Sequence, residues 1–159
     1  MDKRYTLTAS VAQKLKDKGW HITFAESCTA GLVAARLGDV AGISHIFDES
    51  FVTYANEAKI RLLDVSPAVI ERVGVVSEPV ALQMVIGAAK RTGAAVAVGI
   101  SGIAGPDGGS EQKPVGTVCF GFVIGDEQFA LTKHFGNLGR QAVREAAVDT
   151  VYEILNDHL

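Results

Sequence analysis

The chain has 159 residues, the size of one domain when domains run to roughly 100–200 residues, and its 48% hydrophobic and 21% charged residues supply a core and exclude disorder. Fifteen Lys and Arg against eighteen Asp and Glu leave a net charge of -3, so no basic excess exists to neutralise a nucleic acid or an anionic membrane. Two cysteines, Cys28 and Cys119, are too few for a disulfide scaffold, and no stretch reaches the ~20 apolar residues of a membrane span, so the expectation is a single cytoplasmic domain over 1–159.

Leu7, Val11 and Leu15 recur at helical spacing and Gly19 stops the pattern, which predicts a first helix over about 6–18. Trp20 to Ala25 reads as a strand, and the small residues Ser27, Cys28, Thr29, Ala30 and Gly31 then lead into a helix near Leu32 to Leu37. Phe51 to Tyr54 reads as a second strand. Three helix starts follow, capped by Asn56, by Ser66 before Pro67 and by Ser77 before Pro79, since Pro tolerates the first helical turn. The last of these carries Val80, Met84 and Gly87 on one face up to about Arg91. The run Ala94 to Ser101 is almost continuously apolar, as in a strand buried on both faces. A glycine-rich loop from Gly102 to Gly116 precedes two runs, Thr117 to Ile124 and Glu127 to Phe135, that flank Gly125-Asp126 as a hairpin, and a final helix covers about Arg140 to Leu155. Strands alternating with helices and ending in a hairpin predict an α/β fold, a three-layer α/β/α sandwich around a mixed, mostly parallel sheet.

Ligands of such sheets bind at the carboxyl ends of the strands, and three predicted strands end at Ser27, Tyr54 and Ser101. The small residues after Ser27 leave backbone N–H groups open at a helix mouth, which suits an oxyanion or a phosphate; equally, Ser27 or Thr29 is a plain helix cap. Cys28 is either a nucleophile at that helix end or buried filler. With Asn56 as cap, Lys59 is the third residue of its helix, where the macrodipole disfavours a cation. A neutral lysine suits general base work, against the alternative of a solvated surface lysine. Tyr54 is a proton relay to the same centre or a packing tyrosine. Arg140 can fork onto a carboxylate or phosphate or simply lie on the surface.

The loop residues Gly102, Ile103, Ala104, Gly105, Gly108 and Gly109 offer close backbone donors, yet no Walker loop or G-x-G dinucleotide fingerprint occurs, so no nucleotide cofactor motif is present. Ser110-Glu111-Gln112-Lys113 matches S-x-x-K, but among glycines and before Pro114 it lacks the helix that motif needs, and it reads as coincidence. His21, His45, His134 and His158 are scattered singly without metal-ligand spacing.

Ala25-Glu26-Ser27-Cys28-Thr29, Phe51 to Lys59, Gly74-Val75-Val76-Ser77-Glu78, Ser101 to Gly109 and Lys113 to Val118 together resemble the carboxyl-terminal domain of the competence-damage protein CinA, from about residue 6 to the end. That resemblance implies hydrolysis of the carboxamide of nicotinamide mononucleotide to nicotinate mononucleotide and ammonia, without metal or cofactor. It implies Ser27 as nucleophile with Tyr54 and Lys59, and it places Ser44, Ser101 with its glycine loop, and Arg140 along the substrate pocket. The implied partner is a small pyridine nucleotide; the oligomeric state, a homo-oligomer included, stays open. Ala30 departs from the pattern by standing where the family usually has a glycine, and its methyl either crowds a needed N–H or is harmless. The competing expectation is a non-catalytic module that holds a pyridine nucleotide with its glycine loop.

Overall fold

The computed structural model describes residues 2–159. Five strands, β1 (Ile22–Glu26), β2 (Phe51–Val52), β3 (Val96–Gly102), β4 (Thr117–Ile124) and β5 (Glu127–His134), form one sheet in the order β2-β1-β3-β4-β5. β1 pairs in parallel with β2 and with β3, and β4 is antiparallel to both β3 and β5. Four strands therefore run one way and β4 alone runs against them, as the mixed, mostly parallel expectation required.

Six helices cover the sheet: α1 (Lys3–Lys18), α2 (Leu32–Gly38), α3 (Asn56–Leu63), α4 (Pro67–Val73), α5 (Glu78–Thr92) and α6 (Arg140–His158). Side chains alternate across each strand, so Ile22, Phe24, Val98, Ile100, Phe120 and Phe122 face α1, α2 and α6 in the main core with Val11, Leu15, Val33, Leu37, Val148 and Tyr152. Each such aliphatic or aromatic side chain contributes about 1.5–3 kcal/mol on leaving water. The Tyr152 hydroxyl donates to the Val33 carbonyl at 2.6 Å and ties α6 to α2 inside that core.

The other face is shallower. Ala25, Val80, Met84, Ala88 and Leu63 pack beneath α3 and α5, and Gly99 stands opposite Gly121 in the β3–β4 ladder. A Cβ on either glycine would meet the Ala81 carbonyl oxygen, 2.7 Å away from a Cβ at position 99 and 2.4 Å away from one at position 121. The backbone of α5 thus lies directly on the middle of the sheet, a contact that a side chain at either position would prevent.

Several element ends differ from expectation. α1 starts at Lys3 because the Asp2 side chain accepts the Arg4 N–H and caps it, and Trp20 and His21 precede β1. β2 has two residues and leaves Tyr54 outside the sheet, and α6 runs on to His158. Ser66 and Ser77 cap α4 and α5 by accepting from Val69 and Val80, as expected. Asn56 caps nothing: Ala55 holds the extended cap position and accepts the Lys59 N–H, so the helix begins one residue earlier and Lys59 is its fourth residue. No helix of the described residues is long and apolar enough to cross a membrane.

Candidate active site

The carboxyl ends of β1, β2 and β3 meet at one edge of the sheet, which follows from their parallel pairing. Ser27 continues β1, its N–H bonded to the Ile100 carbonyl of β3, and Thr53 continues β2, its N–H bonded to the Glu26 carbonyl. Above this edge, the first turn of α3 brings Lys59 back over the chain that leads into it. Lys59 is 1% exposed, and its Nζ lies 3.0 Å from Ser27 Oγ, 2.6 Å from the Thr53 carbonyl and 3.1 Å from the Tyr54 carbonyl.

Among the described residues no carboxylate lies within ion-pair distance of this amine. Burial lowers the Lys59 pKa to about 8, because removing an ammonium from water disfavours its charged form. The effect sought in the helix dipole therefore arises instead from desolvation. In the neutral amine two N–H bonds serve the two carbonyls, which can only accept, and the lone pair is left directed at the Ser27 hydroxyl. Such a pair can take a proton from a serine.

The turn from Ser27 to Gly31 is fixed from three sides. The Ser27 carbonyl accepts the Ala30 N–H at 3.0 Å, and Arg144 of α6 donates Nε to the Cys28 carbonyl at 3.0 Å and Nη2 to the Thr29 carbonyl at 3.1 Å. From within the sheet, the buried Glu26 carboxylate accepts the N–H groups of Gly31, Val33 and Ala34 and so caps α2. The expected set of open donors shrinks accordingly, since Glu26 takes the Gly31 N–H and Ser27 takes that of Ala30. The N–H groups of Cys28 and Thr29 have no hydrogen-bond partner among the described residues. The Thr29 and Thr53 hydroxyls are likewise buried without a partner.

The Cys28 side chain turns into the main core, and burial pushes its thiol up to about 11. A neutral, core-packed thiol is the wrong state for a nucleophile. Ala30 adopts a left-handed conformation with φ 50, and its side chain is exposed, so the methyl crowds nothing in the turn.

Tyr54 divides its contributions. Its carbonyl holds Lys59, whereas its side chain is 54% exposed and its hydroxyl accepts from Arg140 Nη2 at 2.7 Å instead of meeting Ser27. Arg140 also donates Nη1 to the Gly105 carbonyl at 2.8 Å and thereby joins Tyr54 to the glycine loop. In that loop the N–H groups of Ala104, Gly105, Asp107, Gly108 and Gly109 have no partner among the described residues. Ser101 is buried and donates to the Val75 carbonyl at 2.8 Å, which leaves its oxygen able to accept. Ser44 lies exposed on the 3₁₀ turn Ile43–His45, with no hydrogen bond to the Ser27 or Lys59 side chains.

The Ser110 N–H donates to the Lys113 carbonyl and the Lys113 N–H to Ser110 Oγ in a surface turn, and Lys113 Nζ reaches the Val73 carbonyl, so S-x-x-K has no helix here. Among the described residues no group of three His, Cys, Asp or Glu side chains is placed to hold a metal ion. Sequence reasoning missed Glu26 and Arg144. An acidic residue ending a strand five residues before a helix cap is the available signal for Glu26; Arg144 acts across 115 residues and leaves none.

The model of the CinA C-terminal domain matches residues 4–159. The nicotinamide-nucleotide amidohydrolase PncC of Enterobacter agglomerans is 47% identical over 98% of this chain and 95% of its own length. The PncC of Escherichia coli K12 is 48% identical over 89% of this chain and 86% of its own length. A CinA-like protein of Syntrophobacter fumaroxidans is 44% identical over 92% of this chain, which spans 35% of that longer relative. The crystal structure of a CinA-superfamily protein from Klebsiella pneumoniae covers 98% of the chain, and is itself covered to 97%, with a TM-score of 0.93 at 34% identity. That of CihA from Agrobacterium tumefaciens covers 98%, and is itself covered to 94%, with a TM-score of 0.91 at 38% identity. A chain matched along almost its whole length by the domain model, the relatives and the folds belongs to the CinA C-terminal domain family.

Proposed function

We propose that this protein is a nicotinamide-nucleotide amidohydrolase that uses Ser27 as nucleophile and Lys59 as general base to convert nicotinamide mononucleotide to nicotinate mononucleotide and ammonia. The observation that carries the chemistry is the buried Lys59 amine, bonded to two carbonyls and facing Ser27 Oγ at 3.0 Å. The substrate is taken from the PncC relatives, whose names give a nicotinamide nucleotide.

Neutral Lys59 takes the Ser27 proton as Oγ attacks the carboxamide carbon. The N–H groups of Cys28 and Thr29 receive the oxygen that becomes negative, at the cost of no bond within the protein. When the tetrahedral centre collapses, the C–N bond breaks and Lys59 returns its proton to the leaving nitrogen, which departs as ammonia. Water, deprotonated by the same amine, then attacks the Ser27 ester, and Ser27 leaves with a proton from Lys59 as the nicotinate product forms. All of these steps use one base and no metal. Tyr54 assists through its carbonyl, which orients Lys59, while its hydroxyl and Arg140 sit at the mouth with the glycine loop to hold the nucleotide.

An ammonia-release assay against nicotinamide mononucleotide, nicotinamide riboside and the oxidised dinucleotide tests the reading. Release from the mononucleotide, with a nicotinate-nucleotide ester trapped on Ser27 by acid quench, is expected. Binding of the mononucleotide with no ammonia would leave a non-catalytic binding module in its place, and an ester trapped on Cys28 would move the nucleophile.

A further inference from the structure

The geometry points to Arg144 as a positioning residue that aims the anion-stabilising N–H groups of Cys28 and Thr29, an inference that rests on the serine amidohydrolase reading above. In a trans peptide the N–H and the preceding C=O point in opposite directions. Apart from Gly105–Pro106 no cis bond occurs among the described residues, so the rule holds for the peptides that join Ser27 to Cys28 and Cys28 to Thr29. The first is anchored where the Ser27 carbonyl accepts the Ala30 N–H. The second has a single anchor, Arg144 Nε on the Cys28 carbonyl at 3.0 Å. With each carbonyl anchored, each N–H is turned away from its own peptide's anchor, and neither meets a protein acceptor among the described residues.

A merely structural role fits Arg144 poorly. Its neighbours on α6, Glu145 and Asp149, are taken by Arg4 and Arg36, and Arg144 has no carboxylate within ion-pair distance among the described residues. Its guanidinium is divided between two turn carbonyls and the Gln141 side chain. The planar fork spans the Cys28 and Thr29 carbonyls together, so it sets the plane of the turn as well as its distance from α6. The adjoining turn needs such support, because Ala30 holds a left-handed conformation that an alanine adopts reluctantly. Arg144 touches no reacting atom; it acts through the peptide it holds.

The test measures kcat and KM for nicotinamide mononucleotide in the wild type, Arg144→Met and Arg144→Lys, with affinity titrated separately in Ser27→Ala and in Ser27→Ala combined with Arg144→Met. Losing one oxyanion donor outright costs about 10²–10³ in kcat, so misaiming one is expected to cost on the order of 10–10² in Arg144→Met. KM, the titrated affinity and the rise of activity with pH toward about 8 stay within twofold of the wild type. Arg144→Lys, which keeps the charge but not the fork, is expected to fall between the two and decides the matter if the methionine variant does not fold. A wild-type kcat in the lysine variant, or in a folded methionine variant, overturns the inference. So does a loss that appears in affinity, which would make Arg144 a substrate ligand. Turnover by Ser27→Ala overturns this inference and the serine reading together; an inactive Ser27→Ala beside an undiminished Arg144 variant overturns this inference alone.

Discussion

Ser27 and Lys59 are 8% and 1% exposed, and each is held by backbone atoms of the strand ends, whereas Tyr54 is 54% exposed and its hydroxyl meets another exposed side chain, Arg140. The first pair cannot shift without parting β1 from β3 or opening the start of α3. The second pair lies in water, where a charged side chain rearranges at little cost. The molecule thus separates a fixed half, which on the proposed mechanism sets reactivity, from an adaptable half, whose contacts would set what enters. Substitutions in the fixed half should change kcat, and those at the rim should change KM.

Ser27→Ala is the most severe way to break this division. It removes one hydrogen bond, about 0.5–1.5 kcal/mol of stability, and the acyl-enzyme route, so kcat is expected to fall by on the order of 10⁴-fold or more while the thermal transition moves by a few degrees. Retention of a tenth of the activity would show that reactivity does not reside in the buried pair.

Lys59→Arg comes next. A guanidinium keeps the charge but does not deprotonate, so a loss of at least about 10³-fold is expected. On the proposed mechanism the active form of the wild type is the neutral amine. With the Lys59 pKa at about 8, kcat/KM is expected to rise about tenfold per pH unit below that value and to level above it. A profile flat from pH 6 to 9 would remove Lys59 as the base.

These outcomes bear on how the site was read from sequence. Ser27, Lys59 and the meeting of three strand ends were legible, because alternating strands and helices fix where chains turn and a lysine in a first helical turn is conspicuous. The reason the Lys59 pKa is lowered was not. Propensity at Asn56 suggested a cap and a dipole, but Ala55 is the cap and the lowering comes from burial of the amine against the strand ends, which no local pattern encodes. The hairpin at Gly125-Asp126, the buried β3 and the serine caps were legible for the opposite reason, since turn chemistry and caps act within four residues. The Gly99–Gly121 pairing is invisible until the register of β3 on β4 is known.

At the rim the effects are smaller. Arg140→Ala is expected to raise KM for nicotinamide mononucleotide about tenfold with kcat within threefold, and Tyr54→Phe, which removes the acceptor of Arg140, to raise it about threefold. A collapse of kcat in Tyr54→Phe would draw the Tyr54 hydroxyl into the fixed half as a proton donor.

The smallest change sharpens the comparison from inside the turn. Ala30→Gly relieves a left-handed alanine at φ 50, worth roughly 1–2 kcal/mol, less about 0.4–1 kcal/mol of unfolded-chain entropy. A gain of about 2 °C in the thermal transition with unchanged kcat is expected. A higher kcat in the glycine variant would mean that the turn is still imperfectly aimed in this chain.

The Glu26 carboxylate on the first turn of α2 has a further consequence for what can lie against Ser27. A bare helix start carries about half a positive charge, which would attract a phosphate and repel a cation. The nicotinamide ring of a mononucleotide is a pyridinium and carries a full positive charge beside the carboxamide. On the proposed reading, Glu26 capping α2 from beneath would keep the floor of the site from repelling that ring and would leave the glycine loop and Arg140 to receive the nucleotide's phosphate. One buried acid would thereby select the end of the substrate that faces the serine.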